Sequence, residues 1–192
     1  MSFADVKKIV KSNGGTPSEL EEQVAKALVE LEITSKDLAV ELRDLYITKA
    51  QEITIDNKKI IIIHIPFKLY KKYTRIQIRL LRELEKKFSG KHIVAVAQRT
   101  ILSKSHTRRY PGTERPRNRT LTAVHSKLLD DIVSPTVIVG KRTKFSVDGK
   151  RLLKVYLDNK DQKDVEHKLK TYQAVYHTLT NKNVEFMFPS TA

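Results

Sequence analysis

The 192-residue chain carries 37 Lys+Arg against 22 Asp+Glu, a formal net charge of +15. At 22.1 kDa it can bury a real core, as one domain or as one domain with a helical appendage. The absence of cysteine excludes disulfides, thiolate metal sites and a cysteine nucleophile, and a pI near 9.9 points to polyanionic partners: nucleic acid, heparin-like sugars or acidic lipid.

Met1–Lys11 shows no apolar run followed by a small-residue cleavage site, and the longest aliphatic stretch, Ile60–Ile65, is far shorter than the roughly 20 residues of a membrane helix. A soluble intracellular protein is expected, and the Asn118-Arg119-Thr120 sequon is expected to stay idle. Charge is unevenly placed: residues 1–50 sum to −2 and residues 51–192 to +17.

The acidic segment reads as helical. Thr16-Pro17-Ser18-Glu19 predicts a capping box with Pro at the first helical position. Leu20, Val24, Ala27, Leu28 and Leu31 follow at helical spacing, and Ser35 can start a second helix carrying Leu38, Leu42 and Leu45. Neither short helix can bury its stripe alone, so each needs its own domain or another protein as a partner surface.

Glu52–Ile55 and Ile60–Ile65 are β-branched runs joined by Asp56-Asn57-Lys58-Lys59, which predicts a hairpin. A long helix is expected from about Pro66 to Ser89, with Gly90 as its C-cap, and His92–Ala97 reads as a strand. Beyond a polar loop, Leu121–Val133 reads as a helix with Leu121, Val124, Leu128 and Ile132 on one face. Thr136–Val139 and Thr143–Val147 read as two strands, and Asp148-Gly149 as a tight turn into a strand at Arg151–Leu157. A last helix is expected through Val165, Leu169, Tyr172, Tyr176 and Leu179, before a strand at Val184–Phe188. The expected class is therefore α+β: a mixed sheet with packed helices, a helical N-terminal segment at 1–50, and a main body at 51–192 with a long basic loop.

Two basic features stand out. In the 66–89 helix, Tyr73, Ile76, Leu80, Leu84 and Phe88 fall on one side, and Lys68, Arg75, Arg79, Arg82 and Lys86 on the other. Basic side chains one turn apart are spaced by about 5–6 Å, close to the scale of successive phosphates. A charge run is ordinarily a solvated face. Here one sign occupies the exposed side, which favours phosphate contact.

The second feature is Ser103–Arg119, with six Lys+Arg, one Glu and a single large apolar side chain, Tyr110. Pro111, Gly112 and Pro116 argue against regular structure, and the loop exceeds the about 12–15 residues usual inside compact domains. It reads as an arm that orders on a polyanion, with Lys104, Arg108, Arg109, Arg115, Arg117 and Arg119 on phosphates and Tyr110 able to stack on a base. Lys91, next to the long helix, and Lys141 and Arg142, from a weaker patch that also holds Lys144, Lys150 and Arg151, complete the candidate RNA-binding set; Lys144, Lys150 and Arg151 stay outside it.

Catalytic chemistry is poorly represented. The six histidines show no i,i+4 pair and no cysteine to complete a zinc site. Adjacent Asp130 and Asp131 point about 100° apart on a helix, so they read as surface or helix-end carboxylates rather than a shared-proton dyad. No Gly-rich phosphate loop, nucleophile elbow, zinc finger or RRM aromatic motif is present. No cofactor, metal or small-molecule substrate is expected, and an enzyme, as a nuclease of scattered acids and histidines, is the remote reading.

The block Arg79-Leu80-Leu81-Arg82-Glu83-Leu84-Glu85-Lys86-Lys87-Phe88-Ser89-Gly90-Lys91-His92 resembles the signature of the ribosomal protein seven family of the eukaryotic small subunit, distinct from the bacterial protein sharing that number. Arg119–His125, Ile138–Arg142, Val165–Lys168 and Lys8–Lys11 extend the likeness in family order over nearly the whole chain. The Ser103–Arg119 arm keeps the family's basic character rather than a fixed motif. The resemblance implies a structural component of the 40S subunit that binds 18S rRNA and neighbouring ribosomal proteins. It also implies meeting assembly factors, contributing to rRNA maturation, and passing through the nucleolus before reaching cytoplasmic ribosomes. A free-standing RNA-binding regulator or adaptor is the alternative.

Overall fold

The computed structural model describes residues 8–11, 14–55 and 58–189, the side chain of Lys36 excepted. The expected turn residues Asp56 and Asn57 lie outside the described residues. The chain forms two compact units, 1–98 and 99–192. The sign of the charge changes near residue 50, within the first of them.

In the first unit, α1 (Glu19–Thr34) and α2 (Lys36–Leu42) precede β1 (Lys49–Ile55), β2 (Lys58–Pro66), α3 (Tyr70–Lys87) and β3 (Lys91–Gln98). The cap of α1 lies two residues later than expected. Ser18 is the N-cap: its Oγ accepts from the Glu21 N–H at 3.4 Å, and its own N–H donates to the Glu21 carboxylate at 2.8 Å. Both Thr16–Glu19 and Ser18–Glu21 fit the capping-box spacing, and tertiary partners decide between them. Glu21 is buried, where it also accepts from the Ala50 N–H at 3.4 Å and pairs with Lys11 at 2.7 Å, whereas Glu19 is exposed. Lys8, 2% exposed, donates to the Leu42 carbonyl at 2.6 Å and pairs with Glu32 at 2.6 Å. It thereby fastens the N-terminal segment to the end of α2, where carbonyls lack intrahelical partners.

The sheet order is β1-β2-β3, with β1 antiparallel and β3 parallel to β2. The isoleucine run of β2 is buried on both faces, as a continuous apolar strand requires. Ile61, Ile63, Ile65, Ile93 and Ala95 join Val24, Leu28, Leu31, Leu42, Tyr73, Ile76, Leu80 and Leu84 in one core, so the N-terminal helices spend their apolar stripes on their own unit. Gly90, at φ +79°, turns the chain from α3 into β3, a conformation open to glycine without cost.

The second unit repeats this logic in its strands. It contains α4 (His106–Arg109), α5 (Leu121–Val133), β4 (Ile138–Phe145), β5 (Arg151–Leu157), α6 (Gln162–Val165), α7 (Leu169–Thr180) and β6 (Asn183–Met187). Its sheet order is β4-β5-β6, again an antiparallel hairpin followed by a helical crossover to a parallel strand. Asn181, at φ 53°, stands where Gly90 stands in the first unit. The α+β class therefore holds, with the strands shared between two mixed sheets of three strands each.

Several details differ from the sequence expectation. Thr136–Val139 and Thr143–Val147 are not two strands: β4 runs through Gly140-Lys141-Arg142, and a bulge between Ile138 and Gly140 absorbs the irregularity. The helix expected around Val165–Leu179 is broken into α6, a 3₁₀ turn at Glu166–Lys168 and α7. The buried face of α5 includes Val124, Leu129 and Ile132, while Leu121 is exposed. Val155 and Phe186 form part of the helix-facing side of the sheet, and Tyr172 of α7 meets Phe186 edge-on at 6.2 Å.

Candidate nucleic-acid interface

Helix α3 separates its two sides as its periodicity requires. Tyr73, Ile76, Leu80 and Leu84 are buried, and Lys71, Arg75, Ile78, Arg79, Arg82 and Lys86 are exposed. Tyr73 anchors the inner side by donating its hydroxyl to the Tyr46 carbonyl at 3.1 Å, and burial pushes its ionisation far above the ordinary phenol range. Ion pairing sorts the outer cations. Lys72 pairs with Asp44 at 3.1 Å, Lys86 with Glu83 at 2.5 Å, and Lys87 with Glu30. Among the described residues no carboxylate pairs with Lys68, Lys71, Arg75, Arg79 or Arg82. Lys68 lies on the 3₁₀ turn Phe67–Leu69 that leads into the helix. Lys91 is a different case: half-buried at the start of β3, it is held by Glu52 at 3.3 Å. Lys71 was missing from the sequence-based set, although its position four residues before Arg75 places it on the same face.

In the second unit the arm is more structured than its prolines and glycine suggest. It contains the single turn α4, a 3₁₀ turn at Arg117–Arg119, and a closing bond from the Leu102 N–H to the Arg119 carbonyl at 2.9 Å. Pro116 sits just before the second turn, where its missing N–H costs no helical bond. Lys104, Arg108, Arg109, Arg117 and Arg119 are exposed and Arg115 is half-buried. No carboxylate among the described residues pairs with any of them. Tyr110 is 60% exposed and tilts against the His106 ring at 5.3 Å, which leaves much of its ring accessible.

The root of the arm is pinned by a pair that local sequence does not reveal. Asp131 is not a surface carboxylate. It is 2% exposed and accepts two bonds from the Arg99 guanidinium, Nη2 at 3.0 Å and Nη1 on the second oxygen. Asp130, one residue earlier, faces elsewhere and takes Lys141 at 3.0 Å and Lys127 at 3.5 Å. The only sequence signal for the Arg99–Asp131 pair is an isolated arginine directly after an apolar strand.

Lys141 and Arg142 are less free than the arm. Lys141 is held by Asp130 and by the Ser126 hydroxyl at 3.1 Å, and the Arg142 guanidinium lies 5.8 Å from the centre of the Tyr156 ring. Among the described residues neither buried His125 nor half-buried His64 belongs to a ligand set. His64 and His125 both titrate below the ordinary range, chiefly through burial and secondarily through Lys49 and Lys182 respectively. Among the described residues, no group of three or more His, Asp or Glu could hold a metal, and no helix is long and apolar enough to cross a membrane.

The arrangement thus offers unpaired guanidinium and ammonium groups on a rigid helix in one unit, and a basic loop with one exposed aromatic ring in the other. Such groups recognise phosphate and base planes rather than perform bond chemistry. Comparison with known proteins agrees with that character. The family model described as "Ribosomal protein S7e" matches residues 8–188. The "Small ribosomal subunit protein eS7" of Spodoptera frugiperda is 51% identical over 184 residues, covering 95% of this chain and 96% of that protein. The protein of the same description in Schizosaccharomyces pombe is 49% identical, with 95% and 94% covered. The "Small ribosomal subunit protein eS7z" of Arabidopsis thaliana is 46% identical, with 98% of each chain covered.

Proposed function

The chain belongs to the Ribosomal protein S7e family, and from that membership we propose that it is a structural constituent of the small ribosomal subunit, held there by 18S rRNA. Membership in this family makes it a non-enzymatic component, in keeping with a site made of cations and one exposed ring. Lys68, Lys71, Arg75, Arg79 and Arg82 bind the sugar–phosphate backbone of one RNA segment. The arm residues Lys104, Arg108, Arg109, Arg115, Arg117 and Arg119 bind a second, and Tyr110 stacks on an unpaired base. Residues 1–50, with their acidic surface, face neighbouring proteins, and residues 51–192 carry the RNA contacts. In this reading the protein meets assembly factors, contributes to small-subunit assembly and rRNA maturation in the nucleolus, and then serves in cytoplasmic ribosomes.

The observation that carries the RNA-binding part of the proposal is the run of unpaired cations on α3 and the turn that leads into it. A solvated face would gain from pairing each cation with an acid, as Lys72, Lys86 and Lys87 do; five neighbours do not. Binding through about 6–10 phosphates should weaken by about 10³–10⁵ between about 50 and 200 mM salt. The test is binding of the full chain to refolded 18S rRNA across that range. The Arg79→Glu/Arg82→Glu double variant should bind more weakly and with a shallower salt slope, while retaining its fold by circular dichroism. A salt-insensitive affinity, or unchanged binding by the folded variant, would overturn the assignment.

A further inference from the structure

The β4–β5 hairpin has a surface that RNA binding leaves unused. Val137, Val139, Phe145 and Val147 are 65%, 65%, 66% and 107% exposed, four large apolar side chains within eleven residues. Phosphates gain nothing from valines. The hairpin's cations, meanwhile, are partly turned onto the unit itself: Lys141 onto Asp130, Arg142 over Tyr156, and Arg151 over the Phe145 ring at 5.3 Å.

Among the described residues the strand is also an open edge. β4 is terminal in the order β4-β5-β6. The Ser146 N–H donates to the Lys150 carbonyl at 2.9 Å, the Gly149 N–H donates to the Ser146 carbonyl at 3.0 Å, and Gly149 has φ +76°. This closure makes Ser146 and Lys150 a hydrogen-bonded pair. Antiparallel pairs alternate, and the register is unbroken from Gly140↔Tyr156 to Phe145↔Arg151. Gly140, Arg142 and Lys144 therefore spend their backbone groups on β5. Lys141, Thr143 and Phe145 point theirs away from the sheet, along a free edge long enough to pair another strand.

We propose that the free edge of β4 takes up an extended segment of a neighbouring protein as a fourth strand, in which acidic residues alternate with apolar ones. The alternation follows from the two faces of β4. Arg142 and Lys144 lie on one face and pair with no carboxylate among the described residues, whereas Lys154 of β5 is taken by Glu185 at 3.5 Å. Residues of the added strand on that face therefore meet the positive charge of Arg142 and Lys144. Thr143 and Phe145 lie on the other face; its two cations, Lys141 and Arg151, are turned onto Asp130 and the Phe145 ring, so there the incoming residues are apolar or β-branched. A second copy of this chain is a poor occupant, because its own β4 would set Lys141, Arg142 and Lys144 against the same residues. The inference rests on the ribosomal reading only in that the neighbour is sought in the small subunit.

The test uses the full chain assembled into small subunits, with a photoreactive benzoylphenylalanine replacing Phe145. Irradiation should link it to a protein, at a segment with alternating acidic and apolar residues, and Thr143→Pro in the same chain should abolish that link by removing an outward N–H. A link to rRNA, a link to a protein segment without acidic residues, or no link would overturn the inference. A protein link that persists in the Thr143→Pro chain would overturn strand pairing as its basis. The same probe at Ile78, among the α3 arginines, reports on RNA binding independently. An RNA link there with none to protein at 145 would reject the docking strand and leave the ribosomal reading standing.

Discussion

Asp131→Asn should be among the most damaging single substitutions in the second unit. It keeps the shape of the side chain and removes the charge that balances Arg99, whose side chain is only 10% exposed. Breaking a buried ion pair from one side costs about 3–5 kcal/mol, against a total stability of about 5–15 kcal/mol for a typical protein. That is a loss of roughly 150- to 5,000-fold in the folding equilibrium, or about 6–20 °C in Tm at about 2–4 °C per kcal/mol for a protein of this size. The arm should register the loss locally, because Arg99 and α5 flank it on either side in the chain. Trypsin should cut after Arg108 and Arg109 faster than in the wild type. Replacing both partners, Arg99→Met with Asp131→Leu, should recover much of the stability, since neither charge is then stranded. Chemical and thermal unfolding of Arg99→Met, Asp131→Leu and the double variant supplies the cycle. A single substitution costing under about 1 kcal/mol, or a double variant as unstable as the sum of the singles, would refute the assignment of a structural charge pair here.

Two further predictions concern the first unit. Lys8→Met should cost about 2–4 kcal/mol in urea unfolding, because it strands Glu32 and the carbonyls at the end of α2; a neutral result would mean that water replaces the ammonium group without loss. Stability should also fall with acid in two stages. The unfolded chain takes up a proton on His64 near 6.5 while the half-buried ring in the fold resists it, so that contribution is complete above about pH 6.5 and is lost as pH falls below it; His64→Gln should flatten this limb. For Glu21, burial alone would raise the carboxyl, but Lys11 and the N–H groups of Ser18 and Ala50 outweigh it and hold it below 4.5. Its contribution is therefore present above about pH 4.5 and lost as pH falls through the lower folded value, a limb that Glu21→Gln should remove.

Much of the architecture is legible in the sequence wherever one periodicity dominates. Helix α3 and strands β2 and β3 follow directly from their apolar spacing, and so does the separation of Tyr73, Ile76, Leu80 and Leu84 from the arginines. What escapes is decided by distant partners. Two overlapping tetrads could cap α1, and a contact from Ala50, 29 residues after Glu21, selects the second. Asp131 looks like its neighbour Asp130 until Arg99, 32 residues earlier, is brought against it. The glycine and cations in the middle of β4 read as a break, but an edge strand with a bulge tolerates them. The cationic residues of the candidate site are legible as a set. Which of them are free is not, because Glu30, Glu52 and Asp44 neutralise Lys87, Lys91 and Lys72 from other elements.

Phosphate recognition by α3 is tested most directly inside the assembled particle. Ile78 is 49% exposed and lies amid Arg75, Arg79 and Arg82, so a benzoylphenylalanine there probes the face while leaving every cation in place. Irradiation of intact small subunits should give a covalent link to 18S rRNA at a defined nucleotide segment. A link to protein alone would contradict RNA binding by this helix and reassign its arginines to a protein interface.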